Sequence, residues 1–253
     1  MNDLEKYFRS NKKRLLHKWE HYFDIYDRHF ARFRGKKVVI LEIGLFHGGS
    51  LQMWKDYFGK NAKIYGVDIN PQCKMFEEKN VEVFIGSQSD RNFLRSLKAR
   101  IPKVDILIDD GGHTMKQQIV TLEEMYDHVK EDGIFLCEDL HTSYWSNFSG
   151  GVKRRGTFIE YSKNFIDMLN AYHSQQRSLK VNNITRTLNS IHYYDSIIVL
   201  EKKPHPQPVE SATGSPSYEM QKPDRSLKYV LRKGTLMVID FFLRLLNLPG
   251  PLR

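Results

Sequence analysis

Val38-Val39-Ile40-Leu41-Glu42-Ile43-Gly44-Leu45-Phe46-His47-Gly48-Gly49-Ser50 is the stretch that decides the fold. Its apolar run ends on glycine and reads as a buried parallel strand. Glycines 44, 48 and 49 let the chain turn tightly and let a ligand approach the backbone. Downstream the pattern alternates. A helix near 49–58 precedes strand KIYGVD (63–68), a short helix and strand VEVFIG (81–86). A helix over 90–100, strand VDILID (104–109), a helix over 114–130 and strand GIFLCED (133–139) follow. Five strands separated by helices specify an α/β fold, a Rossmann-like doubly wound parallel sheet.

Working outward, Leu15, Trp19, Tyr22, Tyr26, Phe30 and Phe33 recur at three- and four-residue steps and predict an N-terminal helix over 15–33. A helix over 157–172 leads to LNSIHYY (188–194) and SIIVLEK (196–202), a closing antiparallel hairpin that brings the sheet to about seven strands. Residues 204–226 hold five of the nine prolines and read as a flexible linker. Residues 227–248 form a basic amphipathic helix stopped by Pro249-Gly250-Pro251. The expected organisation is a domain over 1–203 with a helical cap, a linker over 204–226 and a tail over 227–253.

With 40 % hydrophobic and 12 % aromatic residues in 253, wholesale disorder is excluded. Two cysteines, Cys73 and Cys137, build no disulfide framework, and a reducing, cytoplasmic setting is expected. No run reaches the roughly 18 apolar residues of a membrane span, and the start lacks a secretory h-region. Thirty-nine Lys and Arg against thirty Asp and Glu give +9, mostly from residues 1–36 and 222–253. The basic balance is open to nucleic acid, a membrane face or a phosphorylated substrate. Nucleic acid is disfavoured, because no basic–aromatic stripe lies near the strand ends.

Ligands of such sheets bind beyond the carboxyl ends of the strands. There Gly44, Gly48 and Ser50 form a loop, and Asp68, twenty residues after Gly48, suits two ribose hydroxyls. Glu42 would repel a pyrophosphate but favours a cation, so the loop fits S-adenosylmethionine better than a dinucleotide. Gln88 is a candidate for the adenine edge, while Ser89 or Asp90 caps the next helix. Asp109 is counted with the cofactor residues.

A second site follows from Asp109-Asp110-Gly111-Gly112-His113 and Glu138-Asp139 at the ends of strands four and five. Asp110, Glu138 and Asp139 would converge, and uncompensated carboxylates there are costly. A divalent cation removes the cost, and an all-oxygen set suits Mg²⁺ or Mn²⁺. His113 is the natural general base. The bland reading makes the aspartates helix caps and His113 a surface residue. His141, Tyr144 and Trp145 lie in a loop over the cleft, either as acceptor-stacking residues or as lid packing. Tyr22 and Tyr26 either close the cofactor pocket or are simply core.

LEIGLFHGGSL, GVDIN, IGSQSD, IDDGGH and CEDLHTSYW, in this order, resemble the class I S-adenosylmethionine-dependent O-methyltransferases of macrolide sugars and their so-called cephalosporin hydroxylase relatives. The resemblance covers about residues 15–202. It implies Mg²⁺ on Asp110, Glu138 and Asp139, His113 as base, and a sugar hydroxyl of a glycan, glycolipid or glycosylated natural product as acceptor. The ends depart from it: the macrolide enzymes can carry a separate N-terminal oligomerisation domain that is not expected here, and the tail over 204–253 has no counterpart in the resemblance. A homo-oligomer is expected. A non-sugar acceptor is the alternative, and an RNA-directed or non-enzymatic binding protein a further one. An iron oxygenase is disfavoured, since none of the ten histidines is followed two residues on by an acid. For the tail, an anionic membrane surface and a second subunit both remain open.

Overall fold

The computed structural model describes residues 1–219, 226–246, 248 and 250. The chain divides into a unit over Met1–Pro208 and a unit over Val209–Arg253. In the first, β1 (Val39–Ile43), β2 (Lys63–Asp68), β3 (Val81–Ile85), β4 (Val104–Asp109) and β5 (Val129–Cys137) are parallel, and β6 (Leu188–Tyr194) and β7 (Ile197–Lys202) close the sheet in the order β3-β2-β1-β4-β5-β7-β6. Only β7 runs against the other six strands. β1 lies between β2 and β4, so the order reverses at its carboxyl end, and that is where a crevice opens.

Side-chain alternation divides the core into two layers. Ile40, Ile64, Val83, Ile106 and Ile134 face one layer. It also holds α1 (Asp3–Ser10), α2 (Tyr22–Phe30) and α3 (Gly49–Phe58). Leu41, Tyr65, Phe84, Leu107 and Phe135 face the other, against α4 (Arg91–Arg100) and α5 (Met115–Met125). Trp54 is fully buried, edge-on to Tyr26 at 5.2 Å and to Phe30 at 5.8 Å. Trp54→Ala is expected to cost about 3–5 kcal/mol in urea unfolding, because so large a cavity cannot collapse.

The predicted helix over 15–33 is corrected: helix begins at Tyr22, and residues 11–21 form an irregular strap. Leu15 and Trp19 are exposed while Lys18 is buried, so the apolar residues never share one inward face. α1, capped by Asn2, was not foreseen. The helix expected over 157–172 is broken at Lys163 into α6 (Phe158–Ser162) and α7 (Asn164–Leu169), and the one expected over 114–130 ends earlier, with β5 starting at Val129. A short α8 (Asn183–Thr187) leads into β6.

The second unit contains α9 (Leu227–Leu245). Among the described residues no helix is long and apolar enough to cross a membrane. Residues 220–225 of the expected linker, Arg225 included, and Pro249 and Pro251 of the expected helix stop lie outside the described residues.

Candidate active site

The tips of β1, β4 and β5 are stitched together by backbone. Asp110 N donates to Ile43 O at 2.8 Å, and Glu138 N donates to Asp109 O at 2.9 Å. Gly44, at φ +91°, lies so close to the β4 turn that a Cβ would stand 1.9 Å from Asp110 O. Only glycine fits there. Gly48, also left-handed, precedes α3 and turns toward the Phe76 ring.

A cavity of about 600 Å³ opens over these tips, and Gly44, Ser50, Asp68, Gln88, Asp110 and His113 line it. Asp68 Oδ2 accepts from Leu45 N at 2.8 Å and Phe46 N at 3.3 Å, and its Oδ1 accepts from Asn70 N at 2.8 Å. The carboxylate therefore fixes the glycine loop and faces the cavity at the same time.

Of the expected cofactor set, Asp109 turns away from the cavity, while Gln88 lines it but commits its amide to the fold. Asp109 is 1 % exposed and accepts from Gln88 Nε2 at 2.8 Å on the opposite face of the sheet. This follows from strand alternation with Asp110. Burial pushes its carboxyl up to about 7. Gln88 donates its two amide hydrogens to Asp109 and Thr121 and accepts from Gly112 N, so it clamps the 110–112 turn and has no further donor for an adenine edge. Glu42 lies behind the cavity, accepting from Ser50 Oγ at 2.9 Å and Trp54 Nε1 at 3.0 Å. Its influence on a ligand runs through Ser50 and through its field.

Burial also pushes Glu42 up to about 7, against about 4.5 for an ordinary glutamate carboxyl. A raised folded-state pKa gives stability that is complete below about 4.5 and is lost as pH rises through 7. Glu42→Gln is expected to flatten that part of the profile, so urea midpoints at pH 5 and pH 8 should differ less than in the unmodified chain.

The acidic group forms as the sequence implied, with an addition that the sequence reading missed. Glu138 is 1 % exposed. Its Oε1 accepts from Tyr26 OH and its Oε2 from Lys18 Nζ, both at 2.7 Å. The same ammonium contacts Asp110 Oδ2, and only 3 % of the Lys18 side chain is exposed. Asp139 Oδ1 accepts from Tyr22 OH at 2.7 Å. The tyrosines are thus core rings whose hydroxyls reach the carboxylates. Burial, and then the charge of Asp110, raises the Glu138 carboxyl well above its usual range. Burial opposes the Lys18 charge, yet Asp110 and Glu138 together hold its pKa up.

His113 and Asp139 both sit in the left-handed region, at φ +56° and +57°. Side chains rarely tolerate that, and such strain collects at functional sites. It aims His113 Nε2 to within 3.3 Å of Asp139 Oδ2 and 3.9 Å of Asp110 Oδ1. Thr142 Oγ1 braces both turns, its one proton shared between His113 O at 2.9 Å and Asp139 O at 2.8 Å. Ligand atoms of Asp110, His113 and Asp139 lie within 4.8 Å of one another, whereas Glu138 is not brought into that open group. Three carboxylates against one ammonium leave a formal charge of minus two, with oxygens free on Asp110 and Asp139. That donor set fits a divalent, oxygen-seeking cation.

Beside Asp139, His141 stands between Trp145, with ring centroids 4.6 Å apart, and Trp19, at 5.8 Å. Trp19 is 53 % exposed, Trp145 47 % and Tyr144 53 %. Trp19, His141 and Trp145 form an open aromatic platform, and Tyr144 is exposed in the same loop as Trp145. Trp19 was not singled out in the sequence because the expected helix assigned it to packing.

Residues 41–140 match a methyltransferase-domain family. The chain is 32 % identical over 191 residues to 8-demethyl-8-alpha-L-rhamnosyl tetracenomycin-C 2'-O-methyltransferase of Streptomyces olivaceus, covering 72 % of this chain and 50 % of that protein. It is 32 % identical over 213 residues to demethylmacrocin O-methyltransferase of Streptomyces fradiae, covering 80 % and 53 %. The chain thus spans about half the length of these curated relatives. Among solved structures, the MycE methyltransferase of the mycinamycin pathway, in complex with Mg, SAH and mycinamycin VI, superposes with a TM-score of 0.70. The superposition has 27 % identity and covers 92 % of this chain and 58 % of that one. By its sheet order, its matched segment and these relatives, the chain carries a class I methyltransferase domain of the kind found in macrolide-sugar O-methyltransferases.

Proposed function

We propose that this protein is an S-adenosylmethionine-dependent O-methyltransferase whose acceptor is a sugar hydroxyl on a glycan, glycolipid or glycosylated natural product. One observation carries this reading: the acidic group and His113 line the same 600 Å³ cavity as the glycine loop and Asp68. The nucleoside end of the donor fits against Asp68 and Gly44, with Ser50 and the acidic field of Glu42 on the side of its cationic groups. Relatives that methylate sugars, and a similar structure holding SAH and Mg, support the same assignment.

Asp110, Glu138 and Asp139 would hold Mg²⁺ or Mn²⁺, with the free oxygens of Asp110 and Asp139 foremost. A divalent ion there supplies acidity to a neighbouring hydroxyl. His113 Nε2 accepts the proton as the new C–O bond forms and the S–C bond of the donor breaks. Tyr22 and Tyr26 hold two of the carboxylates, and the cavity wall and strap keep bulk water from the transferring methyl. Trp19, His141, Tyr144 and Trp145 offer faces on which the apolar side of a sugar can stack. The first test is calorimetric: the full chain should bind S-adenosylmethionine when Mg²⁺ is present. No binding would end the proposal.

We propose further that the enzyme is cytoplasmic and that α9 touches an anionic membrane face. Val230, Leu231, Val238, Phe241, Phe242 and Leu245 are all exposed, and Lys228, Arg232 and Lys233 supply charge for lipid headgroups. Removing residues 204–253 is expected to abolish co-sedimentation with phosphatidylserine vesicles. Unchanged partitioning would leave docking on a second subunit as the role of this helix.

A further inference from the structure

Lys18 has no place in the mechanism above, yet its ammonium sits at the centre of the acidic group. It bridges Asp110 Oδ2 and Glu138 Oε2, on β4 and β5 tips, from a strap that has no regular secondary structure. The neighbours of Lys18 follow from that anchor. Leu15 and Leu16 line the cofactor side of the cavity, and Trp19 reaches His141 on the other side. A Cβ on Gly49 would stand 2.3 Å from Leu15 O, so the strap lies flat on the start of α3. Beyond this contact and Lys18, the strap's polar bonds to the rest of the protein lie near its ends or are loose: a His21 ring nitrogen to Asp195 O at 3.1 Å, an exposed Arg9–Glu20 pair at 3.4 Å and an Arg14–Glu78 pair at 3.9 Å.

The carboxylate oxygens divide accordingly. Asp110 Oδ2 and Glu138 Oε2 face the ammonium, and Glu138 Oε1 faces Tyr26. Asp110 Oδ1 and Asp139 Oδ2 face His113 and are open to an ion. The cluster thus has one seat filled by the ammonium and, beside it, an open set of donor atoms.

We propose that Lys18 is a positioning residue for methyl transfer: its ammonium is a resident cation that latches the 11–21 strap across the cavity and stays seated when a divalent ion takes the adjoining position. This rests on the metal-dependent reading above for its second half only. A latched strap keeps Leu15 and Leu16 over the donor and Trp19 on the acceptor platform. Lys18 also neutralises Glu138, so the ion meets a charge of minus two rather than minus three.

The test is amine acylation of the full chain, read by mass spectrometry with and without saturating Mg²⁺, with exposed Lys12 and Lys13 as internal references. Lys18 is expected to react at least tenfold more slowly than either reference in both states. Reaction at the reference rate without Mg²⁺ overturns the latch. Reaction at that rate only after Mg²⁺ is added shows displacement and overturns residence. Lys18→Met supplies an independent arm, because removing a like charge beside the ion position should tighten Mn²⁺ binding several-fold. In that variant the KM for S-adenosylmethionine should rise, and Lys18→Arg should restore it. A site that had merely collapsed would bind Mn²⁺ more weakly, which would also count against the proposal. If the unmodified chain binds no Mn²⁺, the metal reading falls, while a slow Lys18 still supports the latch.

Discussion

His113→Ala is expected to lower turnover by about 10²–10⁴ while leaving S-adenosylmethionine affinity within a few-fold of the unmodified protein. The separation follows from where the two functions sit. Donor contacts are assigned to Gly44, Ser50 and Asp68, on the tips of β1 and β2 and the start of α3. His113 lies beyond β4 and is aimed at the carboxylates by its left-handed backbone and by Thr142. Alanine removes the proton acceptor without disturbing either anchor. It also relieves little backbone strain, since alanine is no happier at φ +56° than histidine. Single-turnover kinetics alongside calorimetry would separate the outcomes. Turnover that survives the substitution would move the base to another group, and lost donor binding would make His113 structural.

Much of the fold was legible because buried parallel strands leave an unambiguous trace. The runs at 63–68, 81–86 and 104–109 are apolar on both faces and end on Asp or Gly, and the strands stop within a residue of those ends. Glycines at 44 and 48 marked where left-handed backbone was required. The strap was illegible for a physical reason. Leu15, Trp19 and Tyr22 have helical spacing, but periodicity cannot distinguish a residue that packs inward from one that stacks on a ligand platform. The buried charge of Lys18 decides the matter, and its partners lie 92 and 120 residues away.

The candidate site was readable in a similar, partial way. Acidic pairs at two strand ends predicted convergence, because β4 and β5 are neighbours in any doubly wound order, and the register Asp109↔Cys137 brings it about. What the sequence did not carry was the direction of each side chain. Their places at strand ends suggest Asp109 and Gln88 as cofactor residues, yet Asp109 turns to the other face of the sheet and Gln88, at the cavity wall, bonds it. A lysine seventeen residues from the N-terminus gave no local signal at all. The one clue was stoichiometric: so many carboxylates at one point require compensation, and a protein-borne cation satisfies that requirement as a metal does.

Asp110→Asn is expected to have the second large effect, lowering Mn²⁺ affinity by about 100-fold and turnover at least as much. Asp110 faces both proposed cation positions, Oδ2 toward Lys18 and Oδ1 toward the open group with His113 and Asp139. Asparagine keeps the shape but removes a full charge from the ion's side, where only Asp139 then offers a charged free oxygen. A lost ligand should exceed the roughly 10–100-fold cost typical of a supporting residue. Glu138→Gln provides the comparison. Both Glu138 oxygens are already engaged, by Tyr26 and Lys18, so its amide should weaken Mn²⁺ binding by less than Asp110→Asn does. Electron paramagnetic resonance titration of Mn²⁺ measures both variants under the same conditions. An equal or larger loss for Glu138→Gln would place Glu138 directly on the ion and return Lys18 to the role of its competitor.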